Sequence, residues 1–203
     1  MCIEVNHYKN EHNNDFSNYF NLKVIDRDAE TLLNKFYDNQ NYNHFHLAKH
    51  RGKATPIIEI ARIMGFKVYT AKFKERNLSG TIGVSNELQE EYGSNKVIIL
   101  NNADTDKHIL FTLAHEIAHY IYDYNPTSDG YSNTYRTDEV LTDKEIRANR
   151  FAAAFLMPKN SFTAKYNETH NISELSDYFN VPETAVKLRI AELELWLWQL
   201  KIN

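Results

Sequence analysis

The chain has 203 residues, 42% of them hydrophobic and 25% charged, which is the composition of an ordinary globular protein with room for one sizeable core. A net charge of −4 with neutral histidines weighs against a surface built to grip nucleic acid through its phosphates, and no apolar run nears the roughly 18 residues that a bilayer span needs. Cys2 is the single cysteine and the start MCIEVNHYKN lacks the apolar centre of a secretory signal, so the expected compartment is a reducing one, the cytoplasm.

Residues 1–50 are rich in Asn, His and Tyr. Their one clear periodicity is Ile25, Ala29, Leu32, Leu33 and Phe36, an amphipathic helix. His44, His46 and His50 read as a solvated turn rather than a metal site. From residue 55 the signals sharpen. Thr55-Pro56 reads as a cap followed by proline at the first helical position, Ile57, Ile60, Ala61 and Met64 give the helix its apolar face, and Gly65 ends it. FKVYTAKF (66–73), GTIGV (80–84) and KVIIL (96–100) read as three strands, and NNADTD (101–106) as a turn into the next helix. The polar stretch DYNPTSDGYSNTYRTD (123–138) reads as a long loop. A helix follows over about 142–156 and closes at Met157-Pro158, and two short helices around a tight turn occupy NISELSDYFNVPETAVKLRIAELEL.

The chemistry concentrates in FTLAHEIAHYI, residues 111–121. Histidines four apart stand on one face of a helix, about 6 Å apart along its axis, and two imidazoles at that spacing can converge on one ion at about 2.0–2.1 Å each. At 100° per residue, Leu110, Leu113, Ala114, Ile117 and Ile121 gather on one side. His115 and His119 fall nearly opposite, with Glu116 beside them, whereas histidines buried only for packing belong on the apolar stripe.

Two ligands do not make a site. Zinc that does chemistry commonly takes three protein ligands and leaves a fourth position to water. In TDKEIRANRFAAAFLMP (142–158), Glu145, Asn149, Ala152 and Leu156 share a helical face. Glu145 can therefore reach an ion, small Ala152 permits a close approach of the two helices, and Asn149 stands where it can hydrogen-bond a ligand histidine. Thr142-Asp143-Lys144-Glu145 also fits a capping box, in which the glutamate satisfies a backbone amide, and the spacing alone does not separate the two roles. Asp123, Asp129, Asp138 and Glu139 compete as ligands but lie in the loop.

FTLAHEIAH followed by ExxANRFAAxFLMP resembles the ImmA/IrrE family of metallo-endopeptidases, together with the upstream IARIMGFKVY and the Ser79-Gly80 pair, over roughly residues 55–190. The resemblance implies a zincin-like α+β domain with a small three-stranded sheet and an active-site helix, then a compact helix-turn-helix-like lobe. It implies one Zn²⁺ per chain, held by His115, His119 and Glu145. It also implies a protein substrate, commonly a helix-turn-helix repressor whose cleavage derepresses phage or mobile-element genes. The domains expected are a polar segment over 1–50, the peptidase over 51–165 and the helical lobe with its tail over 166–203.

Glu116, next to a ligand, is placed as the general base that takes a proton from water and passes it to the leaving amine. A structural zinc site normally closes with four protein ligands, often cysteines, and this chain has only Cys2. A donor to the oxyanion is also needed. His108, Tyr120, Tyr122, Tyr124, Tyr131 and Tyr135 are near in sequence, with His108, Tyr122 and Tyr131 put forward. KVIIL, ending just before the metal helix, is the expected edge strand for an extended substrate.

In the last lobe Leu175, Phe179, Val181, Ala185, Val186 and Arg189 are spaced like a helix-turn-helix core. Its second helix offers Lys187 and Arg189 against Glu183 and Glu192, too thin a basic face for phosphates, so a packing role is expected over direct DNA binding. Trp196 and Trp198 read as lid or core residues. The rival to proteolysis is a zinc-binding regulator, or half of a toxin–antitoxin pair, that binds DNA or a repressor without cutting.

Overall fold

The computed structural model describes residues 21–38, 54–75, 77–124, 130–135 and 142–195. His44, His46, His50, Asp129, Asp138, Glu139, Trp196 and Trp198 lie outside them. In chain order the elements are α1 (Leu22–Asp38), α2 (Ile57–Ile63), β1 (Lys67–Ala71), β2 (Leu78–Val84), α3 (Glu87–Tyr92), β3 (Lys96–Asn101) and α4 (Asp106–Tyr122), followed by β4 (Gly130–Tyr135), α5 (Asp143–Leu156), α6 (Lys159–Thr169), α7 (Ile172–Phe179) and α8 (Glu183–Glu192). This is an α+β fold with one mixed sheet.

All three expected strands form, and the sheet gains a fourth in the order β1-β3-β2-β4. β1 runs parallel to β3, while β2 is antiparallel to both β3 and β4. Two expectations change. The stretch 123–138 is not all loop, because GYSNTY within it pairs with β2, setting Tyr131 opposite Gly83. KVIIL is not an edge, because β3 is paired on both sides. Among the described residues the outer strand on the side of β2 is β4, and it also packs on α4.

Local chemistry fixes how the chain enters the two central helices. The Asn101 side chain donates to Leu78 O (2.7 Å) and accepts from Ala103 N (3.0 Å), pinning the turn after β3. Thr105 then caps α4 by accepting from His108 N, and Thr142 caps α5 by accepting from Glu145 N. Thr55 does not cap α2. Its hydroxyl donates to Phe155 O at 2.9 Å, fastening α2 to the end of α5, while Gly65 leaves the helix with φ of 88°.

One apolar core runs through the described residues. α4 lies against β2, β3 and α2 on one side and α5 on the other. The alanines of α5 (Ala148, Ala152, Ala153 and Ala154) are all buried, which lets α4 and α1 both approach it closely. α1 joins this core through Ile25, Ala29, Leu32, Leu33 and Phe36, so the described part of the Asn/His-rich segment packs with the rest.

The terminal lobe is tied down rather than appended. Leu175, Phe179, Val181, Ala185 and Val186 are buried as the helix-turn-helix pattern expects. A third helix not read from the sequence, α6, precedes them. Lys107 of α4 reaches Ser176 Oγ (2.9 Å) and Asp177 (2.5 Å) on α7. Arg189 is 1% exposed; its Nε donates to Met157 O (3.0 Å) and its Nη2 to Asp26 of α1 (2.5 Å). This corrects the count of Arg189 as a cation facing phosphates: it faces inward.

Candidate metal centre

The α4 helix is apolar on one side only in sequence; in the fold every residue from Thr112 to His119 is buried, because α5 covers the polar side. His115 and His119 are 2% and 4% exposed and Glu116 is 0%. Across from them the first turn of α5 brings up Glu145. Its Oε2 lies 3.0 Å from His115 Nε2 and its Oε1 3.2 Å from His119 Nε2, and the two Nε2 atoms are 3.0 Å apart. Among the described residues this is the one cluster of His, Cys, Asp and Glu with the reach to hold a metal ion.

The outer nitrogens show what belongs in the middle. His115 Nδ1 is 2.9 Å from Asn149 Oδ1, and His119 Nδ1 is 2.9 Å from Asp123 Oδ2. Both oxygens can only accept, so each ring donates at Nδ1 and leaves Nε2 facing inward as the atom that an ion would take. Groups converging at 3.0–3.2 Å need positive charge among them, which a metal ion supplies in the loaded site and a proton on His119 Nε2 supplies without one. Ligands at about 2.0–2.1 Å in tetrahedral array stand roughly 3.3 Å apart, close to what the trio shows. The donor set therefore fits a divalent ion.

Electrostatics agree. Burial pulls the His119 imidazole down, but its bonds to Asp123 and Glu145 and the charge of Glu116 outweigh that and raise it to about 9. Burial likewise opposes ionisation of Glu145, yet the two histidines hold its carboxyl well below the usual range. The centre is tuned to hold positive charge. Thr142 still caps α5 through the backbone N–H of Glu145, so half of the capping box forms while the glutamate side chain turns to the histidines.

Glu116 presses against the sheet. A Cβ on Gly80 of β2 would come within 3.0 Å of its Oε1, so the carboxylate rests where a side chain on that strand is missing. Asp123, a competing ligand by its place in the sequence, lies instead behind His119 and pairs with Arg147 at 2.5 Å. Tyr122 is not at the centre, since its hydroxyl donates to Asp28 on α1 (3.2 Å) and its ring packs on Phe151. Tyr120 is likewise engaged elsewhere, accepting from Lys96 at 2.7 Å. His108 stands two turns before His115 on α4, roughly 10 Å away along the axis, where burial lowers its pKa. Asp123 and Arg147 are what sequence reasoning missed as a pair; the signal was i,i+4 spacing, since Asp123 follows His119 by one turn.

Residues 61–191 match the IrrE N-terminal-like domain of the peptidase M78 family, well over half of the chain. The protein belongs to that family of metallopeptidases. No curated protein matches it. Among solved structures it is similar to a Mycobacterium tuberculosis transcriptional regulator, with 18% identity and a TM-score of 0.45, over 80% of this chain and 52% of that one. The chain thus spans about half the length of that regulator. No helix among the described residues is long and apolar enough to cross a membrane.

Proposed function

We propose that the protein is a zinc endopeptidase whose ion is held by His115, His119 and Glu145, with Asn149 fixing the His115 ring. The observation that carries this is the convergence of the Glu145 carboxylate with two histidines whose outer ring nitrogens are already engaged. Bound zinc would supply a Lewis acid that polarises the substrate carbonyl and makes water nucleophilic near neutral pH. Glu116 takes the proton from that water at its carboxylate and delivers it to the leaving nitrogen, a contribution of about 10²–10⁴ in rate. The wall of β2 at Gly80 and the neighbouring ligands hold it in place. With Tyr122 committed to Asp28 and His108 two turns away, Tyr131 on the outer strand is the oxyanion donor to test.

A substrate backbone would lie along β4, the outer strand, in place of the β3 edge expected from sequence. The resemblance to anti-repressor peptidases makes a helix-turn-helix repressor the proposed substrate, with cleavage derepressing its genes in the cytoplasm. The inward-facing Arg189 supports this over direct DNA binding, because it leaves Lys187 as the exposed cation among the two counted on α8.

The test is incubation of the zinc-loaded chain with a helix-turn-helix repressor encoded in the same genome. Wild type cleaves it, and chelator or Glu116→Gln abolishes cleavage while Glu116→Gln keeps full zinc by metal analysis. Undiminished cleavage by Glu116→Gln removes the proposed base. Retention on DNA that falls steeply with salt, without cleavage, would favour the regulator.

A further inference from the structure

Beside the metal centre is a cavity of about 320 Å³, walled by α4, α5 and α8. Its lining includes Phe111, Ile146, Asn149, Arg150, Ala185 and Leu188. Asn149 is shared: its Oδ1 holds His115 Nδ1, and the residue also lines the cavity. On α5, Glu145 and Asn149 are one turn apart, so the cavity begins one turn from the carboxylate that faces the histidines. α8 supplies the third wall from the first turns of the helix that a helix-turn-helix protein would turn towards DNA bases.

We infer that this cavity is a substrate subsite which selects a large apolar side chain near the scissile bond, and that the helix-turn-helix-like lobe serves the peptidase as its specificity wall. The inference rests on the peptidase reading above. Three features point to one occupant. The volume is at the small end of the roughly 300–1,000 Å³ of ligand pockets, enough for one large side chain and its flanking backbone. Phe111, Ile146, Ala185 and Leu188 give it apolar walls. Arg150, its cation, has Glu192 Oε1 3.8 Å from its Nε and a further partner within the protein, so it is not a lone charge facing the cavity. The separation also suits a peptide: an extended chain advances about 3.3 Å per residue, so a turn or two of helix corresponds to two or three residues from the reacting bond.

Zinc-loaded full-length chain is incubated with peptides from a tryptic digest of total bacterial protein, and cleavage sites are read by mass spectrometry. Expected is a preference of roughly tenfold or more for Leu, Met or Phe at one fixed position within three residues of the cut. Leu188→Trp, which fills the cavity, should move that preference to Gly and Ala with zinc content unchanged. Chelator-sensitive cleavage with no apolar preference, with an acidic one, or with one that Leu188→Trp leaves as it was, overturns the subsite and spares the peptidase. A second measurement does not depend on turnover. Zinc-loaded Glu116→Gln is titrated with N-acetyl-leucinamide and N-acetyl-aspartamide while the Ile146 and Leu188 methyl resonances are followed. Shifts with the leucine compound alone support an apolar side-chain site, and no shift with either overturns the subsite; the peptidase reading falls separately, if neither these peptides nor the repressor is cut.

Discussion

Asp123 Oδ2 stands 2.9 Å from Nδ1 of His119, one helical turn further along α4, and its other oxygen holds Arg147 Nη2 at 2.5 Å. The carboxylate thus sets the His119 tautomer and is itself held by a guanidinium from α5. Groups placed this way typically govern metal affinity by about 10–100-fold without touching the ion. Asp123→Asn should therefore weaken zinc binding by roughly that factor. Competition against a zinc chelator reads it directly, and unchanged affinity would reduce Asp123 to a helix-end partner of Arg147.

The sequence made the histidine-bearing helix α4 legible because periodicity and chemistry agreed there: Leu113, Ala114 and Ile117 are fully buried, and His115 and His119 lie off that stripe. From spacing alone Glu145 was legible only as one of two roles, since a cap and a ligand begin with the same spacing; in the fold its backbone N–H meets Thr142 and its carboxylate faces the two histidines. What stayed hidden depends on contacts far apart in sequence. Thr55 looks like a cap and instead bonds Phe155, a hundred residues on. Arg189 looks like a surface cation until Asp26 and Met157 close over it. β4 was concealed because GYSNTY carries turn formers among its tyrosines, and pairing with β2 outweighs that local preference.

Gly80 offers a test of how the base is positioned. A Cβ there would stand 2.7 Å from Thr112 Cγ2, 3.0 Å from Glu116 Oε1 and 3.3 Å from Leu100 Cδ2. Thr112 is buried and cannot swing aside freely. Gly80→Ala should cost roughly 1–3 kcal/mol of stability and lower kcat by about tenfold to a hundredfold on any peptide the wild type cleaves, with zinc retained. Adding Thr112→Ser removes the closest clash and not the approach to Glu116. The pair should regain stability in urea unfolding without regaining kcat; recovery of both would show that the glycine serves packing alone.

Arg189 fastens three parts of the chain at once: α8, the end of α5 through Met157 O, and α1 through Asp26. Removing one partner of such a buried pair leaves a charge without its answer, typically at a cost of about 3–5 kcal/mol. Arg189→Ala should lower the urea midpoint accordingly. Arg189→Lys should recover only part of the loss, because an ammonium cannot reproduce the guanidinium's fork across Met157 and Asp26. A loss below 1 kcal/mol by the same measurement would mean that the lobe is held by its apolar core without this tie.

Glu192 sits in the same cluster and sets a pH dependence. Burial raises its carboxyl to about 7, and Arg189 and Arg150 only partly offset this. Both cations are too far for strong bonds, Arg189 Nη1 at 3.5 Å and Arg150 Nε at 3.8 Å, and Arg189 already serves Asp26. A folded-state pKa above the unfolded value near 4.5 means that the folded protein holds this proton more tightly. The resulting stabilisation is complete below about pH 4.5 and is lost as pH rises through about 7, on the order of 3 kcal/mol in all. Glu192→Gln keeps the neutral shape and cannot ionise. Its stability relative to wild type should therefore grow between pH 5 and 8 in thermal unfolding, with zinc content held constant. Parallel curves for the two proteins across that window would show that the arginines, not burial, set the charge of this residue.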